Sequence, residues 1–253
     1  MRKIISIARL TFKEAGRDKF FSGVAFFFIF YLLFCVLLGK LSPGHTQQIM
    51  RNAGLTGIEL SAVILIIFSV TLSFFRDKDT RIIEVYLSCF ERRAYLGGKI
   101  LGYFALSGLY LLFSGLGLGL ILFLYNAFTA AVLAALYPLF LKLGIIICVA
   151  FVFSSLSSTS TTALLCSIFF YAAAELMPVA LKIIRTQPLI WQRNIVETAA
   201  VFLPKMEQFD IKLLAAYGEF PGAVYFLWIS AYAFTFIVLL WVINIFIFGK
   251  KEY

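Results

Sequence analysis

Six long apolar runs, separated by charged or turn-forming stretches, constrain this chain more than any other feature of its sequence. They lie at about 20–39, 58–75, 100–124, 133–153, 161–181 and 223–248. Most reach the ~20 residues that cross ~30 Å of hydrocarbon at about 1.5 Å per residue, and the run at 58–75 is short but adequate. With 62% hydrophobic residues, 14% charged ones and a mean hydropathy of +0.97, the 253 residues hold too little polar surface to close into a water-soluble globule. The runs are continuous rather than alternating, so helices account for them and outer-membrane strands do not. The expected fold class is all-α, a polytopic membrane protein of six transmembrane helices in a single domain over 1–253. The first run is too long for a signal-peptide core and no small-x-small cleavage site follows it, so it is expected to be a true span.

Lys and Arg set the expected orientation. One side of the membrane receives six basic residues in 1–19, six in 76–99 and two at 250–251. The other receives Lys40, Arg51 and five in the connection 182–222, which counts for less because it is long. Both termini are therefore expected in the cytoplasm of a multi-pass cell (inner) membrane protein. The net charge of +9 reflects this asymmetry and suits anionic lipid headgroups; it does not point to nucleic acid.

Residues 76–99 form the most charged stretch, with six Lys or Arg and four Asp or Glu in twenty-four positions between two apolar runs. It is expected to be a water-exposed cytoplasmic loop, with a short surface helix over Arg81 to Ser88 and Thr80 as a candidate cap. Ahead of the first span, Ile4, Ile5, Ile7, Ala8, Thr11, Phe12 and Ala15 share one arc of a helix of about 160° at 100° per residue. Arg2, Lys3, Arg9, Lys13 and Arg17 fall outside it, and Leu10 is the exception. This is the pattern of an interfacial helix, apolar face in lipid and cations toward phosphate.

The third span carries Gly97, Gly98, Gly102, Gly108, Gly115, Gly117 and Gly119, which suit a helix packed closely at the centre of a bundle or one that bends. Gly54 is read as a breaker in the loop Lys40 to Gly57. The fourth span holds a lone cation, Lys142, and the fifth a lone carboxylate, Glu175. Counted from the Ser/Thr-rich turn at Ser154 to Thr162, the two lie at similar depth. Lone charges in hydrocarbon are costly, so a pair across the hairpin near its outer end is expected, with Lys142 reaching the interface as the alternative. The connection 182–222 could cap the outer mouth of a pathway or serve as a solvated cover.

Much chemistry is missing from the sequence. No Gly-x-x-x-x-Gly-Lys-Ser/Thr loop cradles a nucleotide, since Lys99 after Gly97-Gly98 is followed by Ile100. There is no Gly-x-Ser-x-Gly elbow, no His-Glu-x-x-His and no pair of span carboxylates suited to hydrolysis. His45 stands alone, so no metal site is expected, and Cys35, Cys89, Cys148 and Cys166 read as free buried thiols. The chain reads as a conduit or anchor without enzymatic activity, driven by energy from elsewhere.

Four stretches in order resemble the type 2 ABC exporter permeases. Residues 7–20 look like that family's amphipathic entry helix. Arg81 to Gly102, with Glu84, Leu87-Ser88, Arg92-Arg93, Tyr95, Gly98-Lys99 and Gly102, is similar to its pattern around the cytoplasmic coupling helix, although Phe90 stands where members often have Pro. Ser154 to Ala163 resembles its turn between spans four and five, and Leu203-Pro204 with Phe209-Asp210 resembles its outer re-entrant region. The resemblance implies two permease chains, identical or related, with two ATP-binding cassette subunits that hold the ATP and Mg; this chain holds no cofactor. It also implies that Arg81, Glu84, Arg92, Arg93 and Tyr95 meet the ATPase, Glu84 as the main polar contact. A secondary carrier acting alone and a non-transporting anchor subunit of a larger complex are the competing readings.

Overall fold

The structure, a computed structural model, describes residues 2–17, 19–41, 44–83, 92–186, 196–198, 200 and 203–250. Helix α1 (Arg2–Gly16) precedes α2 (Lys19–Lys40), α3 (Thr46–Asp79), α4 (Arg92–Leu124), α5 (Ala130–Leu156) and α6 (Ser160–Thr186). A 3-10 turn (Met206–Phe209) and the short α7 (Lys212–Tyr217) then lead to α8 (Ala223–Lys250). Every regular element among the described residues is helical, and α2, α3, α4, α5, α6 and α8 are long and apolar enough to cross a membrane. The chain is thus an all-α, multi-pass membrane protein. Six crossings bring both termini to one end of the bundle, where the Arg92 guanidinium donates to the Gly249 carbonyl of α8 at 2.6 Å.

The centre of the bundle is α3 and α5, whose apolar windows are 78% and 72% buried. The glycine-rich α4, expected at the centre, is 44% buried, and α2, α6 and α8 only 11% to 17%. The reason lies in what its glycines do: they admit one neighbour at a time along a flank. Gly98 and Gly102 admit α1, Gly108 admits Phe140, and Gly115 admits Leu136. Helix α4 is unbroken across all of them.

The second span differs most from its expected bounds. Helix α3 runs 34 residues, about 50 Å at 1.5 Å per residue, and continues through Gly54 and Gly57. These glycines break nothing. A Cβ at Gly54 would collide with the Leu118 side chain and one at Gly57 with the Tyr31 ring, so each is a seat for a neighbour. At its other end α3 absorbs Arg76 to Asp79, and α4 absorbs Arg92 to Lys99, so the charged connection is shorter than 76–99. Thr80 ends α3; its backbone N–H and its hydroxyl both donate to the Arg76 carbonyl, at 3.0 and 2.7 Å, and the surface helix expected over Arg81 to Ser88 lies outside the described residues from Glu84 onward.

A polar seam joins α3 to α4. The Tyr95 hydroxyl donates to Asp77 Oδ2 at 3.0 Å, Lys99 Nζ sits 2.6 Å from the same oxygen, the Tyr103 hydroxyl donates to the Ser69 carbonyl at 3.1 Å, and the Tyr110 hydroxyl to Ser61 Oγ at 2.7 Å. The contacts recur about every two turns along α3, at Asp77, Ser69 and Ser61, and the antiparallel α4 answers with Tyr95 and Lys99, then Tyr103, then Tyr110. A one-turn slip of either helix would leave buried hydroxyls and a buried ion pair unmatched, each at about 1–3 kcal/mol or more, so the seam sets the register of the pair.

Helix α1 packs on α4 rather than laying its whole apolar face in lipid. Ile7, Thr11 and Ala15 are buried, while Ile5 and Leu10 remain exposed. Arg9 and Lys13 are exposed on the opposite side, and the side chains of Arg2 and Lys3 lie outside the described residues. Contact this close is possible because α4 offers Gly98 and Gly102 as a groove, and Thr11 turns its hydroxyl back to the Ile7 carbonyl at 3.0 Å. A Cβ at Gly102 would fall 2.7 Å from Thr11 Cβ and 2.9 Å from the Ala8 carbonyl oxygen. Gly102→Val is therefore expected to lift α1 away at a cost of about 1–3 kcal/mol. In a background without the native cysteines, Ile7→Cys should resist a maleimide in the parent and react readily in the Gly102→Val variant; equal reactivity would refute the docking.

Candidate functional site

The most concentrated chemistry lies where α3, α5, α6 and the segment 203–218 meet. Lys142 stands near the midpoint of α5 and is 1% exposed. Its ammonium donates to Glu59 of α3 and, at 2.6 Å, to Glu175 Oε2 of α6. It also lies 5.5 Å from the centre of the Tyr171 ring, whose hydroxyl donates to Glu59 Oε1 at 3.4 Å. The sequence-expected partners Lys142 and Glu175 are thus brought together, but near the middle of their helices instead of at the hairpin's outer end. Full burial also excludes the alternative in which Lys142 reaches the interface.

Sequence reasoning missed Glu59. A carboxylate inside the apolar run 57–70 was the available signal, because such a group persists in hydrocarbon only with a partner. With Glu59 included, two span carboxylates do meet, flanking one lysine. Both are held as ion-pair partners of Lys142, and no group of His, Cys, Asp or Glu among the described residues is arranged to hold a metal.

The remaining component comes from the far end, opposite the termini. Met206 and Phe209 of the 3-10 turn are fully buried, and α7 presents Ala215 and Ala216 to the bundle, side chains small enough for close approach to α3 and α5. Gly218, at φ +81, ends α7 in the left-handed conformation that glycine adopts at least cost. Arg51 of α3 then caps this end, Nη1 donating to the Ala216 carbonyl at 2.9 Å and Nε to the Ala127 carbonyl at 2.6 Å. On the other side the Tyr225 hydroxyl donates to the Gln208 carbonyl at 2.5 Å, and the Lys205 N–H to the Tyr232 hydroxyl at 2.9 Å. Held this way, the segment enters the bundle and delivers Lys212 to Glu59 Oε2.

Lys212 also has a carboxylate of its own. Asp210 accepts the Lys212 backbone N–H at 3.1 Å and lies 3.4 Å from its ammonium. Burial disfavours the Lys212 charge, but Glu59, Asp210 and Glu175 outweigh it and hold its pKa above the ordinary lysine value of 10.5. Its contribution to holding the segment is accordingly full below pH 10.5 and is lost only as pH rises through the elevated value. The cluster joins three carboxyl groups, those of Glu59, Glu175 and Asp210, to two lysines, Lys142 and Lys212, with Glu59 touching both lysines.

The residues expected to meet a partner divide. Arg81, in the left-handed region at φ +54, is exposed, as are Arg92 and Arg93. Glu84 lies outside the described residues. Tyr95 is fully buried, bonded to Asp77 and stacked on Phe248 with ring centres 5.9 Å apart, so it is a packing residue between α3, α4 and α8 and offers no surface. Asp77 and Lys99, expected in water, form the buried pair beside it. Of the described cysteines, Cys35 and Cys148 are buried and Cys166 is exposed.

Removing the ammonium that the cluster is built around leaves two carboxylates facing each other. Lys142→Met is expected to cost about 3–5 kcal/mol, read as a lower unfolding temperature and a smaller folded fraction in mild detergent. Lys142→Met with Glu59→Gln should recover part of that loss. A single variant as stable as the parent would show that the cluster carries no such weight.

No protein-family model matches the chain, and no curated protein matches it significantly in sequence.

Proposed function

We propose that the chain is the membrane-spanning permease subunit of an ATP-driven exporter of the type 2 ABC kind, paired with a second permease chain and with separate ATP-binding subunits at the end that carries both termini. The observation that carries this reading is the construction of that end. The seam ties the last turn of α3 to the first turns of α4, α1 is seated on the same part of α4, and Arg92 holds the end of α8. A push on the charged connection would move these elements together. Helix α3 then runs without a break from Asp77 to Glu59 and Arg51, which hold the far-end segment. ATP-driven closure of partner subunits would displace the connection, tilt α3 and α4 as a unit, and work on the closure at the opposite end.

Exposed Arg81, Arg92 and Arg93 suit an acidic rim on the partner, and Glu84 is assigned the central contact. A carrier working alone is the second reading, and the ion cluster near the helix midpoints is what favours it. Purification from the native host in mild detergent separates the two. The exporter reading expects a stoichiometric ATP-binding subunit and ATP hydrolysis that Glu84→Ala reduces without impairing membrane insertion. A lone chain inert toward ATP would refute it, and unchanged hydrolysis in Glu84→Ala would sink the role of that residue.

A further inference from the structure

The ion cluster divides between two parts of the molecule, the bundle helices and the far-end segment. If the segment 203–218 lifts, Lys212 departs with Asp210 beside it, a neutral pair. Lys142 stays between Glu59 and Glu175. Neither half is left with a buried unpaired cation, but the bundle half keeps a buried carboxylate that calls for another cation. What remains in the bundle is one carboxylate in excess, and its free atom is known: Glu59 Oε2, the oxygen that Lys212 had occupied, while Oε1 stays with Lys142 and Tyr171.

We infer that Glu59 Oε2 is a binding site for a primary ammonium on the transported substrate, and that Lys212 is the resident occupant that such a substrate displaces. The lysine is itself the demonstration of fit: a four-carbon apolar stem bearing an N–H donor, seated on a carboxylate that is 4% exposed. The groups facing the site from every packed element are Glu59 of α3, Lys142 of α5, Tyr171 and Glu175 of α6, and Asp210 with Lys212 of the far-end segment. Three carboxyl groups face two lysines, an excess of one acidic group that an ammonium completes and a second anion would oppose. The oxygen accepts a hydrogen bond, so a quaternary ammonium, which has no N–H, does not replace the lysine.

Open space lies beside the far-end segment. A cavity of about 330 Å³ opens there between the start of α3 and α7, lined by His45, Gln48, Ile49, Asn52, Leu213, Ala216 and Tyr217. Asn52 lies about two turns before Glu59 along α3, and Leu213 follows Lys212 directly. A ligand entering this cavity meets the element that must move. The substrate class is a primary alkylammonium, a charged amine on an apolar stem.

The inference depends on the transport reading for the purpose of the site, but the binding itself needs no ATPase. The test uses the isolated full chain in phosphatidylcholine nanodiscs at neutral pH, with octylammonium as probe and octanol and octyltrimethylammonium as controls. Binding is read as the rise in unfolding temperature with probe concentration. Lys212→Met removes the resident occupant and leaves Lys142 doubly paired, so the fold survives. Because the resident lysine reduces apparent affinity by the fraction of time it occupies the site, this variant is expected to bind octylammonium about tenfold or more tightly than the parent. Adding Glu59→Gln, which leaves Lys142 paired with Glu175, should abolish the gain. No gain in Lys212→Met, a gain equal for octanol or octyltrimethylammonium, or a gain that survives Glu59→Gln would each overturn the assignment. A negative result here leaves the exporter reading to its own test, and a chain without an ATPase could still bind the ammonium.

Discussion

An ammonium near the midpoint of a membrane helix has no water to fall back on, and the position of Lys142 therefore dictates what surrounds it. Glu59 and Glu175 must approach from α3 and α6, which fixes the rotation of both helices about their axes. Because Lys142 makes use of only part of Glu59, a carboxylate oxygen is left over in a buried place, and the far-end segment supplies Lys212 to meet it. The closure of the far end, the packing of α7 on α3 and the centrality of α3 and α5 all follow from satisfying this one buried charge.

The opposite end is organised by a different device. There the buried pair Asp77 and Lys99 belongs to a ladder of hydroxyls that keeps α3 and α4 in register, and glycines on a flank of α4 admit α1. The two devices share α3. Its 34 residues without a break make it, among the described helices, the one that touches the seam, the ion cluster and the Arg51 cap, so motion imposed at either end has a rigid element along which to travel. The less buried helices α2, α6 and α8 join this frame through contacts such as the Asn244 side-chain amide donating to the Cys148 carbonyl at 3.0 Å.

The fold class was legible because the bilayer imposes a length and a composition that each span must meet alone. The same logic found Lys142 and Glu175, as a charge in an apolar run announces that a partner exists. It does not announce which partner. Glu59 stood in a run judged only for its length, and Lys212 lay in a connection of mixed composition where one lysine resembles any other. Tyr95, Asp77 and Lys99 were assigned to water because they adjoin a charged stretch; packing of α3 on α4 placed them inside, where each meets the other.

Glycine marks the boundary between the two kinds of information. Gly54, Gly57, Gly98 and Gly102 could be breakers, hinges or seats by composition alone, and only the presence of Leu118, Tyr31, Ile7 and Thr11 above them decides. The sequence by itself determined the class of protein, the number of crossings and the lysine and glutamate that had to be compensated, because hydrocarbon penalises each segment independently of its neighbours. The tertiary structure decided which helices form the centre, that α1 docks on α4, and that the far-end segment enters the bundle to place Lys212 on Glu59. Those outcomes depend on pairwise contact between residues distant in the chain, which no local pattern encodes.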